Sequence, residues 1–132
     1  MAKTFRQMVA EGREGTPLVT PQEVQQRMKD EANLLVVDVR DAQDLAGTGI
    51  IPGAVNVSLG TLPIKADQEL PEAMRNPDLQ DRDRPIITTC GGGGQASLAA
   101  KILKDMGFTN VSILDGGTNG WKAAGLETVA PK

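Results

Sequence analysis

Residues 34–39, Leu-Leu-Val-Val-Asp-Val, form a nearly unbroken apolar run rich in β-branched side chains, the pattern of a parallel strand buried on both faces. Pro85–Thr89 and Asn110–Leu114 read as two more strands. Ile51–Val57 reads as a short one entered through Pro52-Gly53, on the sheet's edge or beside its central strand. Helical periods lie between. Thr20-Pro21-Gln22-Glu23 sets a threonine cap, a proline at the first helical position and a glutamate at the third. That capping box starts a helix running to about Asp30, with Val24 and Met28 inward. From about Gln95 to Met106, Leu98, Ile102 and Met106 fall along one stripe with Ala99 and Leu103 beside it, while Lys101, Lys104 and Asp105 face out. Gly107 is a C-terminal stop. A last helix contains Trp121, for which a packing anchor is the simpler role and a binding platform the alternative, and ends near Gly125.

Weaker signals fill the rest. Residues 3–11 read as a short helix or an arm, with Phe5, Met8 and Val9 spaced to lie against the domain, and Gly12 to Pro17 breaks the pattern. Asp41 to Leu45 predicts a short helical turn. The polar segment from Gly60 to Arg84 has poor periodicity; one helix over Glu69–Arg75 would set Leu70, Ala73 and Met74 on one side. Strands alternating with helices predict an α/β fold: a mostly parallel central sheet of about five strands, flanked by helices on both faces. At 132 residues the chain is one domain's worth. The expected boundaries are an N-terminal helix or arm over 1–16, the domain over 17–128 and a C-terminal tail over 129–132.

Composition narrows the function. Tyrosine is absent and Phe5, Phe108 and Trp121 are the only other aromatics, so Val, Ile, Leu, Ala and Met must build the core. The net charge of −3, with lysine and arginine scattered, leaves no basic stripe for nucleic acid. No apolar signal core opens the chain and no run approaches the roughly 18 apolar residues of a spanning helix, so no membrane partner is expected and cytoplasm is the default compartment. One cysteine and no histidine exclude an internal disulfide, a CxxC pair and a structural zinc site within one chain.

The chemistry lies in Ile86-Ile87-Thr88-Thr89-Cys90-Gly91-Gly92-Gly93-Gly94-Gln95-Ala96-Ser97, a strand, a tight loop and a helix start. Each ordered glycine costs roughly 0.5–1 kcal/mol relative to alanine, so four together point to a backbone shape or a close approach that a Cβ would block. A helix N-terminus and converging N–H groups can lower a cysteine pKa from about 8.5 to roughly 3.5–7.5. If Gly91, Gly92, Gly93, Gly94 and Gln95 curl into a nest, they hold a thiolate and then any anionic sulfur species bonded to Cys90. A lone cysteine is more often a small core residue, and a glycine run a linker. Here the run joins a strand to an amphipathic helix without Ser/Pro padding, which favours a nucleophile. Asp38, ending a buried strand, needs a partner, and Arg40 or a loop amide is nearest. An organising ion pair or turn cap is the simpler role for it; a direct catalytic one is the alternative.

This arrangement resembles the rhodanese-like family, in which a strand ends at a catalytic cysteine that opens a six-residue loop leading into a helix. Asp38-Val39-Arg40-Asp41, Ile51-Pro52-Gly53-Ala54-Val55-Asn56-Val57, and Leu114-Asp115-Gly116-Gly117 followed by Trp121 are similar to further family blocks, in the expected order, over roughly Val19 to Leu126. The resemblance implies that residues 17–128 form a single rhodanese-like domain, with Asp38 and Arg40 beneath the active-site loop. It also implies a sulfurtransferase that carries sulfur as a persulfide on Cys90. Such a cycle needs no metal or organic cofactor, only a small-molecule sulfur donor and a thiol or protein acceptor. Two departures stand out. Gln95 occupies the sixth loop position, often arginine in thiosulfate-using members, and Ile50 replaces the histidine before the Ile-x-Gly-Ala block. A charge-assisted hydrogen bond contributes roughly 1.5–3 kcal/mol against about 1 for a neutral one, so thiosulfate use should be weakened about tenfold or more. A slow-reacting interaction or redox-sensor module is the alternative. A cysteine phosphatase or arsenate reductase is disfavoured by the missing loop arginine.

Overall fold

The apolar runs pair as five parallel strands in the computed structural model, which describes residues 2–131. In chain order the elements are α1 (Phe5–Arg13), β1 (Leu18–Val19), α2 (Pro21–Asp30), β2 (Leu35–Asp38), β3 (Val55–Asn56), α3 (Leu62–Ala66), β4 (Ile86–Thr89), α4 (Gly94–Asp105), β5 (Val111–Leu114) and α5 (Gly117–Ala123). The sheet order is β1-β5-β4-β2-β3, with Asp38 level with Thr89 on one side and with Asn56 on the other. After β2 the chain adds its next strand on one side, and after β4 on the other. The carboxyl ends of β2 and β4 therefore flank the point where ligands gather in open α/β sheets.

Strand alternation sorts the core into two layers. Leu35, Val37, Ile86, Val111 and Ile113 face Leu62, Ala66, Ala99, Ala100 and Leu103. Val36, Ile87 and Leu114 face the other way, onto Val24 of α2 and Trp121 of α5. Trp121 is 2% exposed and donates its indole N–H to the Glu127 carbonyl at 2.8 Å, satisfying the one polar atom its burial would strand. The capping box at Thr20 and Glu23 forms as expected. Among the described residues no helix is long and apolar enough to cross a membrane.

Several expectations are corrected. No helix spans Glu69–Arg75: only a 3₁₀ turn over Glu72–Met74 forms, and Met74 is exposed. Asp67 accepts the N–H groups of Glu69 and Leu70, and Pro71 has none to donate, so the backbone donors there turn rather than wind. Instead α3 and a 3₁₀ turn over Pro77–Leu79 bury Leu62, Ala66 and Leu79. Of Ile51–Val57 only Val55–Asn56 pairs, at the sheet edge, because Ile51 to Ala54 closes a turn with Gly53 at φ +83°. The buried face of α4 is Ala96, Ala99, Ala100 and Leu103; Leu98, Ile102 and Met106 are half-buried. Small side chains let α4 lie close on the sheet, which rotates the larger ones toward its flank. Lys104 folds back to the Glu14 carbonyl. The two-residue strand β1, too short to show a period, is added by pairing with β5.

Helix α1 and the segment at Val129 are both tied to the domain. A Cβ at Gly12 would stand 2.2 Å from the Ser97 carbonyl oxygen, so α1 crosses α4 at backbone contact. Phe5 and Met8 nevertheless remain about half exposed, at 55% and 43%. Val129 exchanges two backbone hydrogen bonds with Ile50.

Candidate active site

Strand β4 ends at Cys90, 2% exposed. Its Sγ accepts the backbone N–H of Gly93 at 3.0 Å and of Ala96 at 3.4 Å. Gly93 is the N-cap of α4 and Ala96 its third residue, so the sulfur occupies the place of a capping side chain, which glycine lacks. The first turn of a helix presents unsatisfied N–H groups and a partial positive charge, both of which favour an anion there. Gly93 holds φ +107°, a conformation rarely open to other residues, and turns its N–H back toward the sulfur.

The opposite side of the loop is held by α5. Thr118 N–H donates to the Cys90 carbonyl at 2.8 Å and Asn119 N–H to the Gly91 carbonyl at 3.0 Å. Those oxygens are thereby committed to α5, while Cys90 itself belongs to the buried apolar layer that includes Val37, Val39, Ala96 and Ala99, with the two N–H groups as its polar contacts. Gly117, at φ +61°, permits the approach: a Cβ there would lie 2.6 Å from the Gly91 oxygen. Beneath the loop the Thr89 and Thr118 hydroxyls share a hydrogen bond of 3.0 Å.

The N–H groups of Gly91, Gly92, Gly94 and Gln95 make no hydrogen bond to Sγ. Gly94 lies under the Phe5 ring, where a Cβ would come within 2.7 Å, whereas Gly91 and Gly92 have space around them. The Gln95 side chain is exposed at the rim with no hydrogen-bond partner among the described residues. Behind Gly93, Arg13 of α1 donates its Nε–H to Ser97 Oγ at 3.0 Å, and Ser97 donates in turn to the Gly93 carbonyl at 2.8 Å.

At the end of β2, Asp38 and Arg40 form a buried pair, 0% and 5% exposed. Arg40 grips the carboxylate through Nε at 3.0 Å and a terminal nitrogen at 2.7 Å, and also donates to Thr48 Oγ1 at 2.7 Å and the Gly49 carbonyl at 3.1 Å. The hydrogen-bonded Asp38 holds the guanidinium above its ordinary range against the opposing effect of burial, and an ionised Cys90 acts in the same direction from farther off. Asn56 donates to the carbonyls of Asp38 and Arg40, pinning the segment to β3. A cavity of about 540 Å³ between Asn56, Ser58, Lys65 and Arg75 lies along β3, and no residue of the cysteine loop lines it. The donors converging on Sγ, rather than cavity size, mark the site.

Ala96, Ser97, Gly117, Thr118, Asn119 and Arg13 thus join the residues expected from sequence. Ala96 follows from placing a helix N-terminus after the loop, and Gly117 belongs to the Asp-Gly-Gly block. The approach of Arg13 has no local signal.

Comparison with known proteins agrees with this geometry. The Rhodanese-like domain family model matches residues 20–124. A protein named sulfurtransferase from Allochromatium vinosum is 29% identical over 114 residues, covering 86% of this chain and 95% of its own. Thiosulfate sulfurtransferase GlpE of Ectopseudomonas mendocina is 32% identical, over 80% of this chain and 84% of its own. A solved structure from Rhodopseudomonas palustris, described as a protein of unknown function and possible tyrosine phosphatase, superposes with a TM-score of 0.89 at 28% identity, over 98% of this chain and 96% of that one. With a cysteine closing the central strand onto a glycine loop, a match over most of its length and relatives of this kind, the chain belongs to the rhodanese-like domain family.

Proposed function

We propose that the protein is a single-domain sulfurtransferase with Cys90 as its nucleophile. The Cys90 thiolate attacks the outer sulfur of a donor, thiosulfate or a low-molecular-weight persulfide. A new S–S bond forms, the donor's S–S bond breaks, and sulfite or a thiolate leaves with the electron pair. An acceptor thiolate, on a small molecule or a protein, then attacks the outer sulfur and releases the Cys90 thiolate. The observation that carries this reading is the pair of N–H groups held on Sγ, 3.0 and 3.4 Å away. They serve the thiolate at the start and end of the cycle and the persulfide between. Relatives named sulfurtransferase support the same reading.

Protein incubated with thiosulfate or a small persulfide gains the mass of one sulfur atom on Cys90, and cyanide or a thiol removes it. Cys90→Ser gains none. Failure of the wild-type protein to take up sulfur from any of several donors would sink the proposal. Because Gln95 brings no charge to the loop, Gln95→Arg raises thiosulfate turnover about tenfold; unchanged turnover removes that role for position 95. The near-complete burial of Cys90 favours a second reading, a slow-reacting redox or interaction module. Sulfur uptake at rates no faster than those of free cysteine would select it.

A further inference from the structure

The cysteine loop is flanked by a cation that the family segment itself does not contain. Arg13 closes α1, seven residues before the matched region begins at residue 20. Its Nε–H donates to Ser97 Oγ at 3.0 Å, and Ser97 holds the carbonyl of Gly93, whose own N–H points at Cys90 Sγ. A Cβ on Gly93 would stand 3.3 Å from a terminal nitrogen of Arg13, so the guanidinium lies against the N-cap of α4. None of the ion pairs among the described residues includes Arg13. The last carbonyls of α1 favour a cation at that position, but the first turn of α4 opposes one unless an anion lies beside it. Cys90 Sγ, which accepts the Gly93 N–H at 3.0 Å, is the place beside that cap where an anion would sit, and Arg40 is a second cation that feels an ionised Cys90.

We infer that Arg13 is a positioning residue for the sulfur chemistry, supplying from α1 the positive field that position 95 lacks and bracing Gly93 through Ser97. The inference rests on the sulfurtransferase reading for its role in turnover, but the field at Cys90 can be measured without any sulfur donor. Lysine substitution keeps the charge while losing the planar fork, and glutamine keeps a hydrogen-bond donor while losing the charge.

The test compares the alkylation rate constants of Cys90 with iodoacetate, an anion, and iodoacetamide, its neutral analogue, at low ionic strength. A change in folding, access or thiolate fraction moves both rates together; a lost local cation lowers their ratio. Arg13→Gln is expected to lower the iodoacetate-to-iodoacetamide ratio about threefold or more. Arg13→Lys keeps most of it, and Ser97→Ala slows or speeds both reagents alike. Arg6→Gln makes the same charge change on the exposed side of α1 and leaves the ratio nearly intact. A ratio unchanged in Arg13→Gln, or lowered as far by Arg6→Gln, overturns the inference. Should Arg13→Gln fail to fold, Arg13→Met takes its place and both it and the wild-type protein are followed as salt is raised from about 10 to 500 mM: the wild-type ratio falls toward that of the variant, and an equal fall in the two overturns the inference, since the Arg40 cation then accounts for it. Sulfur uptake measured separately by mass reports on the function, so either conclusion can fail while the other stands.

Discussion

The carboxyl ends of β2 and β4 lie side by side, yet they are built in opposite ways. At β2 a buried charge is matched by residues close in sequence: Asp38 by Arg40, and Arg40 by Thr48 and Gly49. At β4 the sulfur meets backbone N–H groups, and the loop that aims them is held by Thr118 and Asn119 of α5 on one side and braced through Ser97 by Arg13 of α1 on the other. The first is a local structure that survives or fails as a unit. The second depends on three helices arriving in place, so it is tuned by residues far away in the chain. Full charges suit the permanent pair, since opposite ions at hydrogen-bond distance leave nothing free to react. Amide dipoles suit the cysteine, because they favour an anion without forming a bond that a substrate would have to break.

That contrast predicts different consequences for substitutions at the two ends. The largest effect on stability is expected for Asp38→Asn, which leaves the Arg40 guanidinium buried without its counter-charge. Breaking such a pair costs about 3–5 kcal/mol, visible as a lower denaturant midpoint with the unfolding slope unchanged. A loss under 1 kcal/mol would show that the pair does not brace the strand end. Gly117→Ala reverses the balance. The left-handed φ and the contact with the Gly91 oxygen cost about 1–3 kcal/mol, while sulfur uptake on Cys90 falls more than tenfold because the loop carbonyls lose their partners. Equal losses of uptake in the two variants would erase the distinction between local and distant construction.

Away from both ends the effects shrink. Thr20→Ala removes the cap of α2, on the face opposite α3 and α4, and lowers stability by about 1 kcal/mol with sulfur uptake unchanged. The smallest effect concerns acid. The N–H groups of Leu70 and Glu69 hold the Asp67 carboxyl below its ordinary range. Since the folded value lies below the unfolded one, its contribution is complete above the unfolded value of about 4 and is lost as pH falls through the folded one. Asp67→Asn keeps the acceptor and flattens that acid limb. Denaturant midpoints followed from about pH 5 to pH 2 in both proteins make the comparison.

Much of this was legible because it is local. Short runs rich in Val, Ile and Leu, such as Leu34–Val37, carry a strand signal of their own, and Thr20-Pro21-Gln22-Glu23 carries its own cap, so the elements around Asp38 and Cys90 can be drawn from the sequence. The segment from Gly60 to Arg84 was not legible: its turns are set by single side chains such as Asp67 and by prolines, and these leave no period to read. The inward stripe of α4 differs from the one its periodicity predicts for a related reason. Periodicity identifies an amphipathic helix, but which edge of a broad apolar face turns inward depends on how closely the helix packs, and alanines decided that here.

By itself the sequence determined the parallel α/β fold, the strand that ends at Cys90 and the glycine loop after it, because each is encoded within a few residues; it left Asp38 a choice between Arg40 and a loop amide, which the structure resolves in favour of Arg40. Tertiary structure decided that Gly93 joins Ala96 as a donor to the sulfur while the rest of the loop does not, that α5 holds the loop carbonyls, and that Arg13 stands behind Gly93. Hydrogen-bond direction and charge proximity are set by where separate helices meet, and no short stretch of the chain contains that information.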